Sequence, residues 1–448
     1  MKKPDNNPRS LAVTALVKVK DGAYSNLQLN HLITEAHLNS NDVNLLTTIV
    51  YGVIQHDMTL DFWLKPFIKN PKKVADWVFV LLKTAVYQWQ YLERVPKRAI
   101  FDETIKIAKQ RGHEGIRRFV TGVLHTMDRN GLPDASQLKS PVERLAITYS
   151  MPEWLIQTLN QQLGETKTNA ILATINQPAN QSIRVNTAKI TDDDARVALV
   201  AEGYEVKPSL VADHAFVLSG RPASHSKLFK SGAVTIQDES AMLPAQAMEF
   251  DPSAMVLDAC AAPGGKTGQL AERIDAQKGG TVVALDIHAH KIRLIQKNAE
   301  RLGVSSRVTP VALDARKVDE QFEDATFEAV LVDAPCSGIG LIRRKPEIRY
   351  GKQLADSQRL AQVQLDILNA VAKKVKINGI ITYSTCTILN QENRDVVAAF
   401  LDQHPDFQSV RVTTAQGLKQ DRAADYLEIY PDDYGSDGFF ISQFKRVK

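Results

Sequence analysis

The stretch AMVLDACAAPGGKTGQLAERI (254–274) decides how the rest of the chain is read. It opens on an apolar run of strand length that ends in Asp258. Small residues and two glycines follow, and then an apolar pattern of helical spacing begins. Strand, tight turn and helix form the repeating unit of a parallel sheet covered by helices. The unit recurs downstream: TVVALDI before AHKIRLIQKNAERLG, then RVTPVALDA, then FEAVLVDAP before SQRLAQVQLDILNAVAKKV, then GIITYST. Residues 236–448 are therefore expected to form a Rossmann-like α/β domain with a mostly parallel, doubly wound sheet. Ligands of such sheets sit at the carboxyl ends of the strands.

The unusual residues lie at those ends. GGKT suggests a phosphate-binding loop, but that motif requires a glycine five residues before Gly265, where Cys260 stands, and Pro263 stiffens the turn. The second strand ends in Asp286, 21 residues after Gly265, at the distance from which a carboxylate accepts hydrogen bonds from ribose hydroxyls. The third ends in Asp314. Three strand-end carboxylates without G-x-G-x-x-G spacing favour S-adenosylmethionine over a dinucleotide; the bland alternative is that each only caps the following helix. The fourth strand ends in VDAPCSG (332–338), which puts Asp333 and Cys336 beside the same crevice, and the fifth ends in Cys386 within YSTCTI.

All three cysteines of the chain are thus next to strand ends of one sheet. Cys260 sits in the cofactor loop, where a small space-filling role suffices. Cys336 and Cys386 come from neighbouring strand ends and are expected to face one substrate, against the ordinary reading of two buried, inert thiols. Cytosine C5 attacks a methyl donor poorly. A thiolate adding to C6 makes C5 nucleophilic, and a base must later remove the C5 proton so that the thiol can leave. One carboxyl and two thiols beside a methyl-donor site match that chemistry.

The front of the chain differs. Residues 1–135 show helical apolar spacing, as in VFVLLKTAVYQWQYL (78–92), with basic clusters at KPFIKNPKK (65–73), RVPKR (94–98) and KQRGHEGIRR (109–118). Residues 1–150 carry 21 Lys and Arg against 14 Asp and Glu, a balance of +7 in a chain of +4. That asymmetry suggests nucleic-acid contact, or only a solvated face. Trp77, Tyr87, Trp89 and Tyr91 are read mostly as core. A linker is expected at 130–141 and a small α+β region at 142–235. No apolar run is long enough to span a bilayer, the start of the chain is not read as a signal peptide, and the cysteine usage predicts a reducing, cytoplasmic setting without disulfides or metal.

DACAAPGGKT, DAPCSG and YSTC resemble the signature segments of the RsmB/NOP family of RNA cytosine-C5 methyltransferases. The front end, with KTAVYQWQYLERVPKRAIFDETIKIAKQRG and FVTGVL (119–124), resembles the NusB RNA-binding helical domain. The resemblance reaches SDGFF (436–440) and covers nearly the whole chain. It implies a monomeric enzyme that methylates a cytosine of 16S ribosomal RNA, free or in an assembling small subunit. By that resemblance Cys260, Ala261, Ala262, Pro263, Gly264, Gly265 and Lys266, with Asp286, Asp314 and Asp333, form the S-adenosylmethionine site. Cys386 is the nucleophile, Cys336 assists product release, and Asp333 approaches the cytosine. Arg343, Arg344 and Lys345, in IRRKPEIR (342–349), contact RNA. Thr121, His125 and Lys291 stand where the family often has Asn, Arg and Arg. A methyltransferase acting on another RNA such as tRNA, a DNA cytosine-C5 methyltransferase that uses Cys336 as nucleophile, and a non-enzymatic RNA-binding factor are the competing readings.

Overall fold

The chain is described by a computed structural model covering residues 6–23 and 25–448; Tyr24 and the first five residues of the stretch read above as no signal peptide lie outside them. Contacts divide it into two compact units. The first runs through Gln161 and includes Arg349–Gly351; the second comprises Gln162–Ile348 and Lys352–Lys448.

The first unit is helical, with main helices Pro8–Lys20, Ser25–Ala36, Ser40–Gln55, Asp57–Leu64, Asp76–Tyr91, Lys97–Arg111 and Glu114–Asn130. Helix Asp76–Tyr91 is its axis. Val78, Val80, Leu81, Leu82, Ala85 and Val86 are all buried on it, which is what an apolar pattern nearly all round a helix implies. Each such side chain contributes about 1.5–3 kcal/mol by leaving water. Tyr87 is buried, while Trp77, Trp89 and Tyr91 are partly buried against the same core. Lys83, in this core, is neutralised by Asp57 at 2.6 Å and Asp61 at 2.7 Å.

The stretch 130–141, expected as a linker, lies with the helix after it in the first unit. Asp134 caps a short turn at Ala135–Gln137, Ser140 caps helix Pro141–Tyr149, and both belong to the first unit. Arg349 is fully buried there, donating to the carbonyls of Gln55 and Ser150, both at 3.1 Å, and Tyr149 at 3.2 Å.

The second unit holds two sheets. The smaller comprises β1 (Gln181–Val185), β2 (Glu205–Pro208), β3 (Ala215–Ser219) and β4 (Val234–Ile236), ordered β2-β3-β1-β4 and antiparallel. The larger contains β5 (Met255–Asp258), β6 (Thr281–Asp286), β7 (Val308–Ala312), β8 (Phe327–Asp333), β9 (Val375–Thr385), β10 (Phe407–Val410), β11 (Leu427–Ile429) and β12 (Phe439–Arg446). Its order is β10-β12-β9-β8-β5-β6-β7, with β11 beside β12. The five strands from β7 to β9 are parallel; β10 to β12 add antiparallel pairs. Alternate residues bury both faces. Leu257, Leu285, Val330, Val332 and Ile381 face the helices Leu354–Ala372 and Arg394–Gln403, whereas Val256, Val282, Ala284 and Leu331 face Gly265–Ala271 and Ala289–Leu302. This is the expected doubly wound sheet, and its strand order reverses between β5 and β8.

Hydrogen bonds and an ion pair cross the expected boundary at 235/236. Asn186 Nδ2 donates to Leu302 O at 3.0 Å, Lys189 Nζ to Arg301 O at 2.9 Å, and Arg301 to Phe229 O at 3.0 Å. Arg184 and Glu272 form a buried ion pair between the small sheet and the helical layer. These contacts join the two sheets into one unit.

Candidate active site

β5 delivers Asp258 to the reversal point, and the chain then turns tightly into helix Gly265–Ala271. Ala261 N–H donates to Leu285 O at 2.8 Å, and Asn298 Nδ2 to Pro263 O at 2.7 Å, so the loop is pinned from two sides. Gly264 has φ of +101°, and a Cβ there would lie 3.2 Å from Ile295 Cα; the small residue is a steric requirement. Asp258, 1% exposed, accepts from Thr267 Oγ1 at 2.7 Å. Burial pushes its carboxyl up to about 7, against the pull of that hydroxyl. Burial, reinforced by Asp258, Asp333, Asp286 and Asp314, drives the Cys260 thiol well above the ordinary range. Cys260 therefore stays a neutral thiol packed at the core margin.

Asp286 and Asp314 stand at the ends of β6 and β7 as expected. Asp286 accepts from His288 N–H at 2.9 Å and lies 3.5 Å from Lys291 Nζ. Asp314 caps the next turn through Arg316 N–H at 3.0 Å and takes the Arg316 guanidinium at 2.6 Å, which holds its carboxyl below the usual range. The cap reading is thus realised for Asp314. A cradle that a Cβ would crowd, a free helix start and a row of carboxylates suit S-adenosylmethionine, whose ribose and amino groups are hydrogen-bond donors.

The second half of the site comes from β8 and β9. These strands are parallel neighbours with Asp333 opposite Ser384, so the loops after them run side by side. Cys336 Sγ and Cys386 Sγ lie 3.2 Å apart. Asp333 accepts from Ser384 Oγ at 2.8 Å and from Lys266 Nζ at 2.7 Å. Lys266, its side chain 14% exposed, sits 5.1 Å above the Phe439 ring. Burial opposes its charge, but Asp333 and Cys386 beside it raise its pKa overall. The hydrogen bond with Cys386, then burial, pushes the Cys336 thiol well above the ordinary range, and the Glu392 carboxylate adds to this. Behind the thiols Gly340 N–H donates to Cys386 O and Gly438 N–H to Gly340 O, both at 3.0 Å. A Cβ on Gly340 would meet Gly438 O at 2.1 Å. Nothing in the local pattern around Gly340 signals that contact, because its partner is 98 residues away.

The residues expected to touch RNA depart most from the sequence reading. Arg343 donates to Gly435 O at 2.6 Å and to Ser436 O; Arg344 bridges Asp238 at 2.6 Å and Asp437 at 2.7 Å. These donors engage internal carbonyls and carboxylates of the second unit. Lys345 is exposed. In the helical unit, Lys65, Lys69, Lys72 and Lys73 are exposed, and a groove of about 1180 Å³ runs between that turn and helix Glu114–Asn130. Ile68, Val74 and Phe119 line it with Lys69, Lys73 and Arg118. Among the described residues no cluster of His, Cys, Asp and Glu is arranged to hold a metal ion, and no helix is long and apolar enough to cross a membrane.

Comparison with known proteins matches three segments. Residues 245–445 match the family 16S rRNA methyltransferase RsmB/F, residues 6–129 the NusB family, and residues 151–224 the RsmF/B-like ferredoxin-like domain. The chain is 42% identical to the probable ribosomal RNA small subunit methyltransferase B of Bacillus subtilis (strain 168), over 98% of each chain. It shares its fold with the crystal structure of PH0851, at a TM-score of 0.84 and 24% identity, covering all of both chains. The NSun6 structure from Pyrococcus horikoshii, crystallised with SFG, matches at a TM-score of 0.57 and 20% identity, covering 66% of this chain and 98% of that one.

Proposed function

Because this chain belongs to the 16S rRNA methyltransferase RsmB/F family, we propose that it methylates C5 of a cytosine in small-subunit ribosomal RNA through a covalent cysteine adduct. S-adenosylmethionine, held by 260–266 with Asp286, Asp314 and Asp333, supplies the methyl group as an electrophile. The chain's own residues do the rest. Cys386 Sγ bonds to C6, and the C5–C6 π pair moves onto C5, which becomes the nucleophile. Asp333, fixed by Ser384 and Lys266, faces the polar edge of the ring. Once C5 is methylated, Cys336 Sγ takes the C5 proton, the C–H pair forms the C5–C6 double bond, and the bond from C6 to Cys386 breaks with its electron pair returning to Cys386 Sγ. Cys336 serves this release.

The single observation that carries the reading is the 3.2 Å spacing of the two thiols beside the Lys266–Asp333 pair. One substrate ring reaches both sulfurs only if they are adjacent. The basic turns of the helical unit and Lys345 bind RNA phosphates in this scheme, so affinity falls with salt.

Denaturing gels of two variants with 16S rRNA and S-adenosylmethionine test it. Cys386→Ala abolishes turnover and forms no adduct; Cys336→Ala methylates once and stays attached to its RNA. The opposite pattern would exchange the roles and overturn the assignment, and absence of adduct from both would remove the covalent route.

A further inference from the structure

A buried polar cluster lies behind the two thiols. Glu392 and Asn393, adjacent in sequence, sit in and just after the short turn Asn390–Glu392, ahead of helix Arg394–Gln403, and are 0% and 2% exposed. Glu392 Oε2 accepts from Ser337 N–H at 2.7 Å and from Gln364 Nε2 at 3.0 Å; the same Gln364 nitrogen donates to Pro335 O at 3.0 Å. Glu392 thus holds Ser337 directly and Pro335 through Gln364, the two residues that flank Cys336. Asn393 Oδ1 accepts from Thr385 Oγ1 at 2.6 Å, and its Nδ2 donates to Thr387 O at 3.1 Å. Asn393 thus holds both residues that flank Cys386. Ser337 Oγ and Thr387 Oγ1, 2.9 Å apart, close the arrangement between the loops.

We propose that Glu392 and Asn393 are a pair of positioning residues, one for each thiol, which together set the spacing of Cys336 and Cys386. Glu392 determines the placement of the release thiol, and Asn393 that of the nucleophile. The proposal rests on the two-thiol function above. The side-chain chemistry suits the task. Glu392 takes hydrogen bonds only from neutral donors, including Ser357 Oγ at 2.8 Å, and among the described residues it has no cationic partner. A buried carboxyl that accepts three hydrogen bonds makes strong contacts and holds the loop it bonds to in place. Asn393 both accepts and donates, so it fixes the direction of the Cys386 loop as well as its distance.

Two readouts on the full-length chain test this. In the first, variants are incubated with 16S rRNA and S-adenosylmethionine and the adduct is quantified on denaturing gels. Glu392→Ala accumulates adduct because release slows by about tenfold or more, a loss of roughly 1.4 kcal/mol in transition-state stabilisation. Asn393→Ala forms adduct about tenfold more slowly and accumulates none. Glu392→Gln keeps an acceptor for Ser337 N–H and partitions like the parent. In the second, which needs no RNA, dibromobimane bridges two thiols only when they are adjacent. The parent and Glu392→Gln are bridged, and both alanine variants lose the bridge. Equal loss of both steps in both alanine variants, or bridging that survives them, would overturn the proposal. Cys336→Ala is the control. If it traps no adduct while the bridging results hold, the covalent reading fails and the positioning role stands.

Discussion

Replacing Asp258 by Asn tests the electrostatics of the cofactor turn. Burial first, with Asp333 as a lesser cause, pushes this carboxyl from an ordinary 3.8 to about 7, even though Thr267 and Lys266 favour its charge. The folded chain therefore keeps a proton there across a range in which the unfolded chain has lost it. The stability contributed by this group is fully present below about pH 4 and is lost as pH rises to about 7, levelling off beyond. At 1.36 kcal/mol per pH unit the span is on the order of 4 kcal/mol. Asn has the same shape, stays neutral throughout, and offers Oδ1 to Thr267 Oγ1, now 2.7 Å from Asp258 Oδ2. Urea denaturation of parent and variant at about pH 5 and about pH 8, read as the difference in the transition of the second unit, measures it. The variant should gain on the parent by about 3 kcal/mol between those pH values. A difference that stays flat would show that Asp258 is ionised in the fold, and would refute the argument that burial dominates here.

Two further substitutions separate the cofactor site from the scaffold. Asp286→Ala should weaken S-adenosylmethionine binding by roughly 1–3 kcal/mol, the usual worth of a charge-assisted hydrogen bond, as measured by calorimetry. Arg344→Ala should destabilise the fold by about 3 kcal/mol or more, because it strands Asp238 and Asp437, 7% and 2% exposed, without their cation; denaturation reports this without RNA, and an unchanged midpoint would return Arg344 to the RNA-contact reading.

The alternating sheet and the helical front were legible because their signals are local. A strand two residues in period and a helix of 3.6 each declare themselves within a dozen residues. For the same reason the chain order alone placed Asp258, Asp286, Asp314, Asp333, Cys336 and Cys386 at strand ends. The chain order also set Cys336 and Cys386 on neighbouring strand ends; tertiary structure decided how closely the thiols approach and how the carboxylates are paired. The adjacency of the thiols follows from β8 and β9 being parallel neighbours with Asp333 opposite Ser384, a register no segment encodes by itself. The internal partners of Arg343 and Arg344, at Asp238 and 435–437, were not legible because they lie about a hundred residues away on either side; an RRK triplet in a loop reads the same whether its donors face water or carbonyls. Glu392, Asn393 and the Gly340–Gly438 contact left no sequence signal, since each acts through pairings that exist only once separate strand ends are brought together. The domain boundaries are a further case. Composition marked a linker at 130–141; what it could not show is that the next helix belongs to the first unit and that Arg184, Asn186 and Arg301 tie the small sheet to the large one. Periodicity reports what a segment becomes; what it is bonded to depends on a packing free energy summed over residues far apart in the chain.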